Sequence, residues 1–217
     1  MKIEKINKTK QHTVYKNSEG KRVPGVTTVL GILNKPALVK WANNLGLQGI
    51  DSSKYVDSMA SIGTLAHAMV QSYFENTETD TSENSEKEIS LAENCLLSFF
   101  EWIKDKKIEN SKCETRLVSD IHNFGGTCDI ICDLDAELVL IDVKTGKAIY
   151  SEYFYQLAGY KILLRENGYD IKKIIVLRIG RDETEGFETR TVIDTKPFED
   201  VFLACLNLYK LINKAKL

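Results

Sequence analysis

Apolar residues along the chain change their spacing twice, and each change predicts a change of element. From Met59 to Phe74 they recur at helical spacing, and from Ile89 to Ile103 they do so again through Leu96, Leu97 and Phe100. Between these two predicted helices lies NTETDTSENSEKE, residues 76–88, acidic and without hydrophobic side chains, as expected of a solvated or mobile loop. From Glu114 the pattern becomes short β-rich runs over 114–119, 127–133 and 138–144. A helix over about 152–166, ending at Asn167-Gly168, and a strand over 173–179 come next. After a turn-rich DETEG, a strand near 187–193 leads to an amphipathic helix over about 197–214 with Pro197 at its start. No internal repeat is present, and this order of elements predicts an α/β domain built on a mixed sheet.

The segment Leu134-Asp135-Ala136-Glu137 separates two of the strands and fits a β-hairpin with a four-residue loop, Asp133 opposite Leu138. Paired positions then sum to 271, so Asp129 falls across from Asp142. Opposed Cα atoms in antiparallel strands are about 4.5–5.5 Å apart. Period-two alternation puts Lys144, Ile131 and Leu140 on the face of these two carboxylates. Cys128, Ile130, Cys132, Val139, Ile141 and Val143 then line the other, apolar face, with both thiols as small core residues on one side. Two adjacent carboxylates repel, and apolar surroundings raise the pKa of at least one unless a cation neutralises them. Lys144 supplies one positive charge. A divalent Mg²⁺ or Mn²⁺, which favours carboxylate, carbonyl and water oxygens, supplies two. Taken alone, the residues fit a half-exposed hairpin whose charges are merely solvated better than a metal site.

Composition narrows the class. With 217 residues, 43% hydrophobic and 28% charged, the chain suits one globular domain over 1–217, with a basic segment and helices in 1–110 and the core in 111–217. No apolar run approaches the roughly 18 residues needed to cross a bilayer, so no membrane partner is expected. MKIEKINKTK is charged and followed by no apolar stretch, which speaks against a secretory signal. Five cysteines without a CxxC pair speak against a zinc ribbon and for a reducing, cytoplasmic setting. The net charge of −2 hides an uneven distribution: residues 1–50 carry 9 basic and 2 acidic side chains, and residues 51–110 carry 5 and 12. A basic N-terminal segment is therefore available to a polyanion.

GTCDII, IDVKTGK and QLAGY, in that order and spacing, resemble the PD-(D/E)XK nuclease superfamily, in particular its RecB-like, phage-type exonuclease branch. GTLAHA resembles the histidine motif of that branch, and VPGVTTVLGILNKPALVKWA is similar to the N-terminal segment of its phage and mitochondrial members. Glu114 occupies the usual first-strand glutamate, and the whole resemblance spans roughly residues 23–180. It implies a restriction-endonuclease-like core: a central mixed β-sheet flanked by helices, with an N-terminal helical elaboration. It implies a Mg²⁺- or Mn²⁺-dependent deoxyribonuclease, an exonuclease of phage or cellular DNA replication, recombination or repair. Asp129, Asp142, the backbone carbonyl of Val143 and His67 would hold one or two ions, with Glu114 and the catalytic Lys144 beside them. Gln156 and Tyr160 would lie near the substrate. The implied partner is DNA, single-stranded or at its ends, together with proteins of recombination or replication.

Two departures from the family pattern matter: its proline-aspartate reads Cys128-Asp129, and the four cysteines of its iron–sulfur members are missing, so no iron–sulfur cluster is expected. Several assignments stay open on the residues alone. His67 is a ligand or an ordinary helical histidine, Glu114 a ligand or a strand charge near Arg116, and Trp41 a stacking surface or a core residue. A non-catalytic nucleic-acid-binding or assembly module with the same fold is the alternative function. Thr145-Gly146-Lys147 lacks the first glycine of a P-loop, and Ala148 stands where its Ser/Thr belongs. Gly125-Gly126 precedes a strand instead of opening a helix, which suits a tight entry turn and no dinucleotide fingerprint.

Overall fold

A computed structural model of the protein describes residues 5–6, as backbone, and 13–215; the rest of the basic MKIEKINKTK segment lies outside the described residues. Short strands β1 (Lys5–Ile6), β2 (Tyr15–Lys16) and β3 (Arg22–Val23) precede helices α1 (Val26–Leu30), α2 (Pro36–Leu47) and α3 (Ser52–Glu75). Strand β4 (Glu78–Thr79) and helix α4 (Glu86–Ile103) lead into β5 (Ile108–Ser119), β6 (Phe124–Leu134) and β7 (Glu137–Lys144). Helix α5 (Ser151–Glu166), β8 (Lys173–Ile179), β9 (Phe187–Val192) and α6 (Lys196–Lys214) follow. The last five strands form one sheet in the order β5-β6-β7-β8-β9, antiparallel except where α5 carries the chain across to make β7 and β8 parallel. Helices α3 and α4 bury one face of this sheet; α5, α6 and α1 bury the other. This is the mixed sheet flanked by helices of a restriction-endonuclease-like core. Among the described residues no helix is long and apolar enough to cross a membrane.

Local chemistry sets the element ends. Asp51 caps α3 by accepting the backbone N–H groups of Ser53 and Lys54, and Asn76 closes the helix in the left-handed region at φ 52°. Ser85 and Glu88 form a capping box at the start of α4. The acidic stretch 76–88 is thus more structured than its composition suggests. It holds β4, which pairs with β1, and its last three residues belong to α4, where Glu86 and Glu88 meet the positive end of the helix dipole. Thr79 Oγ1 donates to Ser72 Oγ at 2.8 Å and Asn84 Nδ2 to Ser61 Oγ at 3.2 Å, tying the segment to α3.

The β6–β7 register follows the sum of 271 from Ile130↔Ile141 to Leu134↔Glu137. The connection is a two-residue turn, not a four-residue loop: Asp135 and Ala136 have φ 52° and 68°, two left-handed residues whose twist matches the strands they join. Strand β5 begins at Ile108, earlier than expected, because its polar Glu109-Asn110-Ser111-Lys112 run conceals an edge strand.

One expectation fails at the centre of the sheet. Cys128 packs among the residues facing α5 and α6, whereas Cys132 packs with Ile130 against α3 and α4, so the two thiols face opposite sides. The alternation reverses where Glu114 stands between the pairs Cys113↔Ile130 and Thr115↔Cys128. Glu114 has φ 46°, and a left-handed residue inside a strand turns the following side chains over. Gly125 and Gly126 make no turn either. Both lie in β6, where a Cβ would come within 2.5 Å of the Tyr15 ring at Gly125 and 2.6 Å of the Tyr160 ring at Gly126.

Candidate active site

The β6–β7 ladder ends at Ile130↔Ile141, beside the point where β5 and β6 turn over, and Asp129 occupies the opening. Its Oδ2 accepts the backbone N–H of Val143 at 3.0 Å in place of a ladder bond. The same oxygen lies 3.5 Å from Nδ1 of His67 on α3. One ligand atom each from His67, Glu114 and Asp129 lie within 4.8 Å of one another. Val70 and Gln71, one turn beyond His67, line the same hollow with Cys113. Gly63, one turn before His67, lets α3 approach the loop after β7, since a Cβ there would sit 3.0 Å from Thr145 Oγ1.

Asp142 and Lys144 form a second, drier group on the α5 side. Asp142 is fully buried, with Oδ2 2.6 Å from Nζ of Lys144, while Oδ1 has no hydrogen-bond partner. Burial pushes the Asp142 carboxyl up; the Lys144 ammonium opposes this, the charge of Asp129 adds to it, and the result is a pKa of about 6. Burial alone would lower Lys144, yet the carboxylates of Asp142 and Asp129 outweigh it and hold the ammonium above its ordinary value. Lys144 Nζ donates to Gln156 Oε1 at 3.3 Å, and Gln156 Nε2 donates to the Tyr160 hydroxyl at 2.9 Å. Burial holds the Tyr160 phenol well above its usual range.

The expected residues therefore meet as two groups and not on one flat face. His67, Glu114 and Asp129 gather toward α3, because the reversed alternation turns Asp129 away from the Ile131 side. Asp142, Lys144, Gln156 and Tyr160 form a chain toward α5. The charge of Asp129 acts on both Asp142 and Lys144, so the groups are electrostatically one site. Val143 enters through its N–H. Trp41 stands apart on α2, half-buried and edge-on to Tyr55 at 5.8 Å.

Two neighbours escaped the sequence reading. Tyr153 places its ring 5.0 Å from Nζ of Lys144, and its i, i+3, i+7 spacing with Gln156 and Tyr160 marks it on the same helix face. Arg181 donates from Nη2 to Thr145 Oγ1 at 3.2 Å and so holds the loop after Lys144; no motif links it to that loop. The donor set of an imidazole and two carboxylates, beside a buried Asp142 oxygen without a partner, fits a divalent cation that accepts oxygen and nitrogen ligands.

No family model matches the sequence, and no curated protein matches it. Solved structures to which the chain is similar include SSO0001, 14% identical over 73% of this chain and 75% of that one, at a TM-score of 0.37. A candidate exonuclease from Eubacterium rectale is 13% identical over 68% of this chain and 64% of that one, at 0.45. LHK-Exo in complex with dAMP is 14% identical over 70% of this chain and 83% of that one, at 0.33.

Proposed function

We propose that the protein is a divalent-metal-dependent DNA nuclease that removes nucleotides from DNA ends. The observation that supports this reading most is the buried Asp142–Lys144 pair, with one carboxylate oxygen unsatisfied, beside the convergent His67, Glu114 and Asp129. A purely structural ion pair gains little from burial, since desolvation offsets much of its attraction.

Asp129, Asp142 and His67 are the proposed metal ligands, with Glu114 and the Val143 carbonyl completing the set. A divalent Mg²⁺ or Mn²⁺ held there would supply Lewis-acid chemistry for the scissile phosphate and for activation of water. Lys144, kept charged by Asp142 and Asp129, orients the attacking water and offsets the negative charge that develops on the phosphate. Gln156 fixes the ammonium of Lys144, and Tyr160 fixes Gln156 in turn. Tyr160, only 6% exposed, is thereby a positioning residue and not a stacking platform.

The test is digestion of linear and circular DNA, single- and double-stranded, with Mg²⁺, Mn²⁺ or EDTA. Linear forms should be consumed with either metal, circular forms spared, and nothing cut in EDTA. Absence of cleavage on every form would refute the nuclease and favour a binding module. Cleavage of circles would refute the exonuclease.

A further inference from the structure

A second, larger cleft of about 620 Å³ opens at the far end of the β5–β6 hairpin, between the β2–β3 hairpin and α6. Its lining brings Lys21 and Arg22, at the start of β3, together with Lys210 of α6; Glu19 is the one carboxylate among the lining residues. Asn17, Asn123 and Asn213 add amides to the walls. A wall with three cations and one anion contrasts with a chain whose net charge is −2. Among the described residues no ion pair engages Lys21 or Arg22.

The cleft is held in shape by bonds between its walls. Asn17 Nδ2 donates to Asn123 Oδ1 at 2.9 Å, the Ser18 N–H to Asp120 Oδ1 at 2.8 Å, and Lys210 Nζ to the His122 carbonyl at 2.7 Å. Tyr15 locks the same hairpin onto β6, its hydroxyl 2.8 Å from Thr127 Oγ1 and its ring over Gly125. The backbone that carries Lys21 and Arg22 and the ammonium of Lys210 are thus held around one hollow, and three cations spread over two elements suit successive phosphates of one backbone better than an isolated small anion.

Its position adds a second reason. Asn123 is six residues before Asp129 on the same hairpin, about 20 Å at roughly 3.4 Å per residue. The β6–β7 ladder ends at Ile130↔Ile141, whereas the β5–β6 ladder continues to Ser119↔Phe124, so the β5–β6 hairpin projects beyond the catalytic group toward this cleft. About 20 Å corresponds to roughly six base pairs at 3.4 Å each.

We propose that this cleft is a phosphodiester-backbone site for DNA, separate from the metal centre, which grips the nucleic acid about six base pairs from the bond to be cut. Its place on the DNA rests on the nuclease reading; its affinity for the backbone does not. Phosphate contacts release counterions, so removing three should lower the slope of log K against log salt by about 2.7 on duplex DNA and about 2.1 on single strands.

The experiment is fluorescence anisotropy of a labelled DNA duplex of about 30 base pairs with the full-length protein in EDTA, across a salt series, for wild type, Lys21→Ala/Arg22→Ala, and the triple variant with Lys210→Gln. Thermal melts monitor folding, and because Lys210 bonds the His122 carbonyl, the double variant stands in if the triple one is unstable. Lys104→Ala, on the opposite side of the sheet, is the control. A slope lower by about 2.7 on the duplex and affinity weaker by about tenfold or more in the triple variant, with the control unchanged, supports the site. Wild-type slope and affinity in well-folded variants, or no DNA binding by wild type, overturns it. Reduced binding in a protein that cuts no DNA would instead refute the nuclease and leave this site standing.

Discussion

Removing the ammonium of Lys144 while leaving Asp142 in place should cost the metal-free protein far more than a surface charge does. The two are 2.6 Å apart, Asp142 is 0% exposed, and its Oδ1 has no other partner, so Lys144→Ala leaves a buried carboxylate without its counterion. Breaking such a pair from one side costs about 3–5 kcal/mol. An exposed pair such as Lys107–Glu109, 2.9 Å apart, is worth under about 1 kcal/mol. The pH dependence has a definite sign. Asp142 has a folded-state pKa of about 6, above its ordinary 3.8, so its contribution to stability is fully present below about 4 and lost as pH rises through 6. At pH 5 the carboxyl is mostly protonated in the folded protein, and Lys144→Ala should then cost about 1–2 kcal/mol, chiefly from the lost lysine stem. Urea unfolding in EDTA at pH 8 and pH 5 measures both, and Lys144→Ala/Asp142→Asn should recover at least about 2 kcal/mol of the pH 8 loss. A Lys144→Ala loss below about 1 kcal/mol at pH 8, or one equal at both pH values, would refute the buried-pair reasoning.

Three further outcomes follow from the same geometry. Excess Mn²⁺ should raise the melting temperature by several degrees, since ligand at about 100 times Kd adds about 2.7 kcal/mol; His67→Ala and Asp129→Asn should abolish the shift in differential scanning fluorimetry. Gly126→Ala should destabilise by about 1–3 kcal/mol in a chemical melt, because its Cβ would lie 2.6 Å from the Tyr160 ring, and a neutral result would mean that ring is not held there. Burial pushes the thiols of Cys95, Cys113 and Cys132 up to about 12, so a chromogenic disulfide at pH 8 should label them only after denaturant is added.

What the sequence made legible was what a strict period encodes. The β6–β7 pairing followed from counting, because a short connection between two strands fixes which residues face each other. The i, i+4 placement of Gln156 and Tyr160 on a helix was equally readable, and Tyr153 could have been found by extending the same face. The reversal at Glu114 could not, since a non-glycine residue at φ 46° leaves no mark in composition, and it decided that Asp129 turns toward His67 and Glu114. The Asp135-Ala136 turn was hidden for a related reason: the usual signal for two left-handed residues is Asn-Gly or Asp-Gly, and alanine is an unfavourable second residue. Gly125 and Gly126 were visible as glycines but not in their use, which depends on Tyr15 and Tyr160 arriving from distant parts of the chain.

The proposed nuclease mechanism requires Asp129 for metal-dependent phosphodiester cleavage. The most direct measurement is the single-turnover release of end label from linear DNA, with Mn²⁺ and with EDTA, for wild type and a folded Asp129→Asn variant. Cleavage by wild type with Mn²⁺ alone, and a loss of roughly a hundredfold or more in the variant, is the predicted result. Equal rates for the two proteins, or cleavage that persists in EDTA, would contradict it.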